Sequence, residues 1–174
     1  MTQQLSADVL ESPLGPAALE DLVSALARSP ERWGELVRHL PERRCYERLW
    51  RDELVDVWLI CWMDDHDTGF HDHDVSAGAV AVVQGALVEE RIALGGPPRA
   101  RVIRSGEAIA FDAAHVHRMR HAGGEPAVSI HVYSPPLSRM GVYSVEADGT
   151  LRRETVPYDE ELRAEGAEAI AAAG

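Results

Sequence analysis

The sequence predicts a mainly β protein, a small barrel or sandwich of short strands with short helices at its N-terminal end. From Cys45 onward the chain divides into short apolar or alternating segments, which is typical of strands. Turn-forming stretches rich in glycine and proline separate these segments, among them GGPP at 95–98 and GGEP at 123–126. Helical spacing of apolar residues is found before this region, so we expect helices at the start and strands through the middle.

The first segment, residues 1–44, is expected to form short helices packed on the barrel. In AALEDLVSALARSPERWGELVRHL the apolar residues recur every three or four positions, as they do on one face of a helix. Within this stretch Ser29 predicts a helix cap, and Pro30 fits the first position of a second helix. Two short helices are therefore expected here.

The barrel is expected to occupy residues 45–156. Its strands are predicted, in chain order, from CYERLW, LVDVWLICW, GAVAVVQG, ALVEERIAL, ARVIR, EAIAF, HVHRMR, AVSIHVYS and GVYSV. The remaining segment, 157–174, is rich in alanine and glutamate and predicts a helix or a frayed tail without chemistry. Because no linker or low-complexity block divides the chain, we expect a single domain.

Composition narrows the classes of partner. The chain has 174 residues and a formal net charge of -12, with no basic run that would bind phosphate backbones or anionic lipids. Nucleic acid and membranes are therefore not expected as partners. No apolar stretch is long enough to span a bilayer, and the N-terminus lacks a signal-peptide pattern, so a cytoplasmic location is expected. Cys45 and Cys61 lie in strand-like segments and are expected to be buried free thiols.

Histidines in the strand region indicate a metal site. In FHDHD, His71 and His73 are two residues apart, and alternation along a strand places both on one face. Two such imidazoles can bind one metal, and a third ligand from a distant strand would complete a triad with open positions. From the spacing of this motif alone a solvated polar loop is an equal alternative. The candidates for the third ligand are His115, His117, His121 and His131.

A wider pattern resembles the two motifs of the cupin superfamily, which are small jelly-roll barrels. The first block runs from the histidine pair to Gly78 and Gly85, and the second from Gly106 to His117. The resemblance implies that His117 is the third ligand and that His115 is a neighbour. It also places Gly78 where the superfamily usually has a glutamate. Three neutral imidazoles would leave the charge of a divalent iron uncompensated, which favours an anionic substrate such as a thiolate.

The segment EPAVSIHVYSPPL, residues 125–137, resembles the thiol dioxygenases, in particular the cysteine dioxygenase family, which adds both atoms of dioxygen to a thiol. In that family a serine, a histidine and a tyrosine form a hydrogen-bonded chain ending near the iron, and Ser129, His131 and Tyr133 have the same spacing. CYERL at 45–49 resembles the segment that binds the substrate carboxylate, which implies that Arg48 holds this group and Tyr46 supports it.

The resemblance implies an Fe(II) enzyme that converts L-cysteine and O2 to cysteine sulfinate. Relatives that prefer 3-mercaptopropionate carry glutamine in place of the arginine, so Arg48 favours cysteine. Animal members carry at the position of Gly78 a cysteine cross-linked to the tyrosine, whereas here Tyr133 is expected to keep a free phenol. Two alternatives stay open: a dioxygenase of another small thiol, such as 3-mercaptopropionate or mercaptosuccinate, and a cupin that binds a metal without redox chemistry. The sequence leaves the oligomeric state open.

Other polar residues near these motifs are given no role in the chemistry. His39, His66 and His121 are expected to face solvent, although His121 lies close enough in sequence to His117 to support that ring. Asp72 and Asp74 alternate with the two histidines of the first motif and are expected to point away from the metal.

Overall fold

The computed structural model describes residues 12–93, 96–146 and 150–158. One α-helix, α1 (Pro16–Ala27), is followed by two single turns of 3-10 helix, Pro30–Arg32 and Gly34–Leu36. The predicted second helix is therefore only these turns. The Ser29 hydroxyl donates to the Ala25 carbonyl of α1, 3.3 Å away, and caps no helix, while a glycine at 34 disfavours a longer one. No helix in the described ranges has the length and apolar character needed to cross a membrane.

Eleven strands follow in the described part of the chain. They are β1 (Cys45–Arg51), β2 (Asp56–Trp62), β3 (Phe70–Asp72), β4 (Ala77–Gln84), β5 (Ala86–Arg91), β6 (Arg99–Arg104), β7 (Ala108–Phe111), β8 (His117–His121), β9 (Ala127–Ser134), β10 (Arg139–Val145) and β11 (Leu151–Pro157). The nine predicted strand segments are all present. The short strand β3 contains His71, consistent with the strand alternation expected of the FHDHD motif. Strand β11 was not predicted, because its side chains are mostly exposed and show no apolar alternation. The predicted C-terminal helix or tail lies outside the described residues beyond position 158.

The strands form two antiparallel sheets, a mainly β jelly-roll. One sheet has the order β1-β2-β9-β4-β7 and the other β11-β10-β3-β8-β5-β6. Apolar side chains from both sheets, including Trp62, Val80, Leu87 and Met119, form one core cluster between them. Because strands of both sheets contribute to this cluster, the side chains on the two inner faces meet in the middle of the molecule.

Helix α1 covers the outer face of the five-stranded sheet. Leu19 and Val23 are fully buried in a second cluster with the outward-facing residues of β2, β4 and β9. Strand β9 is buried along its whole length, since α1 covers one of its faces and the second sheet the other. The polar side chains that alternate with the apolar ones on β9 therefore point into the core between the sheets.

Candidate metal centre and substrate pocket

Three histidines from the six-stranded sheet meet between the sheets. His71 on β3 lies directly opposite His117 on β8, and His73 follows β3 by one residue. Possible ligand atoms of the three rings all lie within 4.8 Å of one another. The three side chains are buried, with exposures of 4%, 1% and 1% for His71, His73 and His117. The structure thus brings together the three residues predicted as metal ligands.

Hydrogen bonds orient two of these rings. The Nδ1 atom of His71 lies 3.1 Å from the Gly69 carbonyl, and the Nδ1 atom of His117 lies 3.0 Å from a carboxylate oxygen of Glu89. Both partners are acceptors, so each Nδ1 carries the proton and each Nε2 keeps a lone pair. Neither ring nitrogen of the buried His73 has a hydrogen-bond partner among the described residues. A buried polar side chain without a partner indicates a missing ligand, and here a cation would satisfy it.

The protonation state also suits a metal. Burial holds the pKa of His71, of His73 and of His117 below the ordinary value for histidine. The rings are therefore neutral at neutral pH, and neutral imidazole is the form that coordinates metals. Three nitrogen ligands suit iron, zinc, copper or nickel and leave open positions for substrate. The residues present fit a divalent transition metal such as Fe(II).

A buried carboxylate supports the centre from behind. Glu89 on β5 has an exposure of 0%, and the same oxygen that accepts from His117 lies 2.8 Å from Nε2 of His115. Its other oxygen accepts from Nε of Arg101 at 2.5 Å. Burial alone would raise the pKa of Glu89, but the hydrogen bonds from His115, His117 and Arg101 together hold this pKa well below its usual range. Glu89 is therefore an anion beside the centre.

A hydrogen-bonded chain runs along β9 toward the histidines. Ser129 Oγ lies 2.8 Å from His131 Nε2, and His131 Nδ1 lies 3.1 Å from the Tyr133 hydroxyl. The Tyr133 ring is 5.0 Å, centroid to centroid, from the ring of His73. At the far end, the Trp62 indole N–H donates to Ser129 Oγ at 2.8 Å. Trp62 extends the predicted chain by one member.

This indole assigns a direction to the chain. Ser129 Oγ accepts from Trp62, and its buried O–H has His131 Nε2 as its acceptor among the described residues. Burial lowers the pKa of His131 to about 3, so its ring is neutral and carries one proton. With Nε2 accepting, that proton lies on Nδ1 and is donated to the Tyr133 oxygen. The Tyr133 hydroxyl is then free to donate into the pocket, and burial raises its pKa, so it stays protonated.

A cavity of about 50 Å³, enough space for a ligand of a few non-hydrogen atoms, opens beside two of the three histidines, His71 and His117. His71, His117, His131 and Tyr133 line its polar end. The remaining wall is largely apolar and aromatic, and it includes Trp58, Ile60, Trp62, Met119, Leu137 and Met140. The metal centre and the end of the β9 chain therefore share one small pocket.

The arginine that lines this pocket is not the one expected in the predicted carboxylate-binding segment, residues 45–49, but Arg44, which directly precedes that segment. Tyr46 lines the cavity, as does Arg44, which is buried with an exposure of 4%. Arg48 stacks over the Trp58 ring at 4.4 Å, donates to the Tyr158 hydroxyl and lies 3.3 Å from a carboxylate oxygen of Asp56. These contacts place Arg48 behind two rings of the pocket wall. Its substrate-binding role stays a prediction.

Comparison with known proteins identifies the family. A model of cysteine dioxygenase type I matches residues 15–146. The chain belongs to this family. Cysteine dioxygenase type 1 of Danio rerio is 28% identical over 132 residues, which cover 68% of this chain and 65% of that protein. The protein of the same name from Homo sapiens is 30% identical over 91 residues, which cover 47% and 46% of the two chains. The chain thus spans between about half and two thirds of these relatives' lengths.

Solved structures confirm the predicted fold. A protein from Thermus thermophilus superposes with a TM-score of 0.52 at 20% identity, covering 59% of this chain and 93% of that one. A cupin superfamily protein from Desulfitobacterium hafniense gives a TM-score of 0.51 at 11% identity, covering 59% and 87%. At such identities the likeness concerns the fold alone, which is the mainly β jelly-roll of the cupin type.

Gly78 occupies the position where animal members of the family are expected to carry a cysteine cross-linked to the tyrosine that matches Tyr133. A side chain added at Gly78 would have its Cβ 2.5 Å from Cε2 of Phe111 and 3.1 Å from Cδ1 of Tyr133. The Phe111 ring therefore fills the space that a cysteine would need. Tyr133 has no covalent partner at this position, as the sequence predicts.

Other histidines differ from the expectation of solvent exposure. For His66 and His121 that prediction is wrong, because both are buried with their ring nitrogens engaged. His66 lies 3.1 Å from the Pro41 carbonyl and accepts from the Met63 N–H, and His121 lies 2.9 Å from both Asp64 and the Glu125 carbonyl. These rings tie loops to the sheet. His39 is half-buried and lies 3.3 Å from the Ala127 carbonyl.

Sequence reasoning missed three residues of the site: Glu89, Trp62 and Arg44. A detectable signal existed for Glu89, which alternates with the apolar Leu87 on β5 and so occupies a core-facing position. A charged residue at such a position needs buried partners. Trp62 follows the same alternation, but its hydrogen bond to Ser129 depends on how β2 pairs with β9.

Proposed function

We propose that this chain is an Fe(II)-dependent thiol dioxygenase that converts L-cysteine and O2 to cysteine sulfinate. The observation that carries the proposal is a cluster of three neutral histidines, two of which line one small pocket together with the tyrosine end of a buried hydrogen-bonded chain. Membership of the cysteine dioxygenase type I family supports it. The three clustered histidines and the β9 chain are the residues that carry this chemistry.

His71, His73 and His117 hold the iron in this proposal. The free lone pairs on Nε2 of His71 and His117, together with the unpartnered ring of His73, supply three ligands. Fe(II) bound there supplies the redox chemistry that lets dioxygen react with a thiolate. In the overall reaction the S–H bond and the O–O bond are broken, two S–O bonds form, and the thiol proton is released as the sulfinate is made. Sulfur loses four electrons and O2 gains four, so no further reductant is needed.

The pocket's own residues orient the reactants. Its apolar wall excludes water from the sulfur, which protects a thiolate and a reactive oxygen species from side reactions. The Tyr133 hydroxyl, held by His131 and Ser129, donates a hydrogen bond to an oxygen of the bound reactants. Because the pKa of Tyr133 is raised by burial, the phenol acts as a donor and not as a base at neutral pH.

An arginine in β1 or directly before it holds the substrate carboxylate. Arg48 is the arginine that the family resemblance implies, and Tyr46 supports it from the pocket wall. The contacts add Arg44 as a second candidate, because Arg44 lines the cavity directly whereas Arg48 stacks behind Trp58. Either guanidinium offers paired donors that match a carboxylate.

The direct test is dioxygen consumption by protein loaded anaerobically with Fe(II) and offered L-cysteine, 3-mercaptopropionate, mercaptosuccinate or cysteamine, with products identified by mass. A sulfinate from cysteine with stoichiometric uptake of O2 is the expected result. The His117→Ala variant should lose the activity, whereas His39→Ala, which removes a histidine outside the pocket, should keep it.

Two other outcomes would change the proposal. Uptake with another thiol alone would keep thiol dioxygenation and move the substrate away from cysteine. Metal binding without uptake on any of the thiols would contradict the dioxygenase and favour a cupin that binds a metal without redox chemistry.

A further inference from the structure

Glu89 is a carboxylate in the buried core, where an unpaired charge costs free energy. Two of its partners are histidines at or beside the metal centre, and the third is an arginine of opposite charge. Its exposure is 0%, and one carboxylate oxygen lies 3.0 Å from His117 Nδ1 and 2.8 Å from His115 Nε2. The balancing cation, Arg101, has a half-exposed side chain. Arg101 contacts the other carboxylate oxygen and offsets part of the negative charge, while the oxygen that faces His117 and His115 has only these two rings as hydrogen-bond partners among the described residues.

All three candidate ligands are imidazoles, a ligand type that coordinates as the neutral ring, so the set itself brings no negative charge to a divalent cation. Glu89 brings such a charge one hydrogen bond away. A carboxylate that accepts from the Nδ1–H of a ligating histidine fixes the tautomer and makes the opposite nitrogen a better donor to the metal. His115 shares the same carboxylate oxygen and stacks on Phe111 at 4.8 Å between ring centroids, which holds Glu89 from the other side.

We propose that Glu89 is a positioning residue that fixes the His117 ring with Nε2 toward the metal and lends the three-histidine set the negative charge that it lacks. This inference rests on the metal centre of the proposed function. It predicts that Glu89 affects two properties that a merely structural carboxylate would leave unchanged. These are the affinity for a divalent cation and the Fe(III)/Fe(II) midpoint potential.

The matched pair of variants is Glu89→Gln and Glu90→Gln. Both remove one negative charge from adjacent positions of β5, but Glu90 lies on the other face of the strand and pairs with Arg118 and Arg120. Affinity is measured with Co(II) alone, from its visible spectrum and by calorimetry, which does not depend on turnover. Glu89→Gln should weaken Co(II) binding about tenfold to hundredfold, and Glu90→Gln should change it less than about twofold.

The potential gives an independent readout. Removing an anion near iron disfavours the more highly charged oxidised state, so Glu89→Gln should raise the Fe(III)/Fe(II) midpoint potential. Arg101→Gln removes the counter-charge and leaves the hydrogen bonds from the two histidines, so it should lower the potential. Arg101→Gln also tests the proposal if Glu89→Gln fails to fold. Because the Arg101 side chain is half exposed, we expect this variant to fold.

The outcomes separate the two proposals. A folded Glu89→Gln protein with the wild-type Co(II) affinity and potential would overturn the role of Glu89, as would an Arg101→Gln variant whose potential is unchanged or raised. Failure of the wild-type protein itself to bind Co(II) would instead overturn the metal centre, and with it the proposed function.

Discussion

At the scale of single residues, substrate choice depends on which guanidinium meets the carboxylate. Arg44 lines the cavity, while Arg48 is engaged by Asp56, Trp58 and Tyr158. Loss of a charge-assisted hydrogen bond costs about 1.5–3 kcal/mol, or about tenfold to hundredfold in kcat/KM. If Arg44 is the anchor, Arg44→Gln should lose this amount on L-cysteine and much less on cysteamine, which has no carboxylate.

Arg48→Gln is the matched control for that measurement. The same selective loss in Arg48→Gln, with Arg44→Gln unaffected, would return the anchoring role to the residue that the sequence predicted. Equal losses on both thiols in either variant would mean that the arginine supports the fold of the pocket and not the carboxylate.

Gly78 provides a second residue-scale prediction. The Phe111 ring occupies the place of a side chain at this position, so Gly78→Cys should overpack the core and destabilise the protein by about 1–3 kcal/mol in urea unfolding. We also expect no cross-link to Tyr133, because the Phe111 ring occupies the space that the cysteine side chain would need beside the Tyr133 ring. Intact mass would detect a cross-link as the loss of two hydrogen atoms.

Gly34→Cys, measured under reducing conditions, is the control for Gly78→Cys, since a Cβ there would have nothing within 4 Å. Its unfolding midpoint should stay close to that of the wild-type protein. A Gly78→Cys protein as stable as Gly34→Cys, or one that forms the cross-link, would show that Phe111 moves aside easily.

At the scale of elements, the three-residue strand β3 owes its position to strands that follow it in the chain. Asp72 lies between the two histidines of the first motif and points away from them, as the alternation predicts. Its carboxylate accepts from Arg153 at 2.6 and 2.9 Å and from the Tyr143 hydroxyl at 2.7 Å. Strands β10 and β11 therefore hold the histidine-bearing strand through its opposite face.

Asp72→Asn should consequently weaken the positioning of His71 and His73, although Asp72 itself is not a metal ligand. We expect a loss of about 1–2 kcal/mol in unfolding free energy, limited because the Arg153 side chain is about a third exposed to solvent. We also expect weaker Co(II) binding, since His71 and His73 flank the substituted residue. Calorimetry and urea unfolding measure the two effects.

Asp74→Asn is the control for this prediction. Asp74 has a positive φ of 55°, which asparagine tolerates, and its ion pair with Arg139 lies on a more exposed part of the same loop. Equal effects of the two substitutions on Co(II) binding would show that the Asp72 contacts do not position β3.

The same element shows how far the sequence predicts the structure. Strand alternation predicted that His71 and His73 share a face, because a period of two fixes the face of each side chain. The third ring, His117, was implied only by the resemblance to the cupin motifs. Pairing between distant strands is not visible in local patterns. β11 has mostly exposed polar residues and gave no signal, and the contacts of Glu89 and Trp62 arise only when β5 meets β8 and β2 meets β9.

At the scale of the whole molecule, buried neutral histidines make stability depend on pH. Burial lowers the pKa of a set of five histidines, in the case of His131 to about 3. The set consists of His66, His71, His73, His117 and His131. The unfolded chain binds protons at these rings below about pH 6.5, whereas the folded chain does not. For His131, stability is therefore lost as the pH falls from about 6.5 toward 3, by up to about 1.4 kcal/mol per pH unit, and the other four rings add to this loss below about pH 6.5.

Urea unfolding of the metal-free protein measures this effect. The midpoint should fall steeply between about pH 6.5 and 5 and change much less between about pH 7.5 and 8.5, where the rings are neutral in both states. A midpoint that is level from pH 7.5 to about 5 would mean that the histidines take up protons in the folded state.

Metal and protons compete for three of these rings, so their effects on stability are linked. A cation that binds only the folded protein stabilises it by about 2.7 kcal/mol at a concentration one hundred times its Kd. At about pH 7.5, Co(II) should therefore raise the urea midpoint, and the His117→Ala variant should lose most of this rise.

At about pH 5.5 the stabilisation by Co(II) should shrink if the folded rings take up protons, and persist if burial keeps them neutral. Because burial lowers the pKa of all three, we expect it to persist in the folded protein. A gain that disappears by pH 5.5 while the protein stays folded would show that the three rings are more basic than their burial implies.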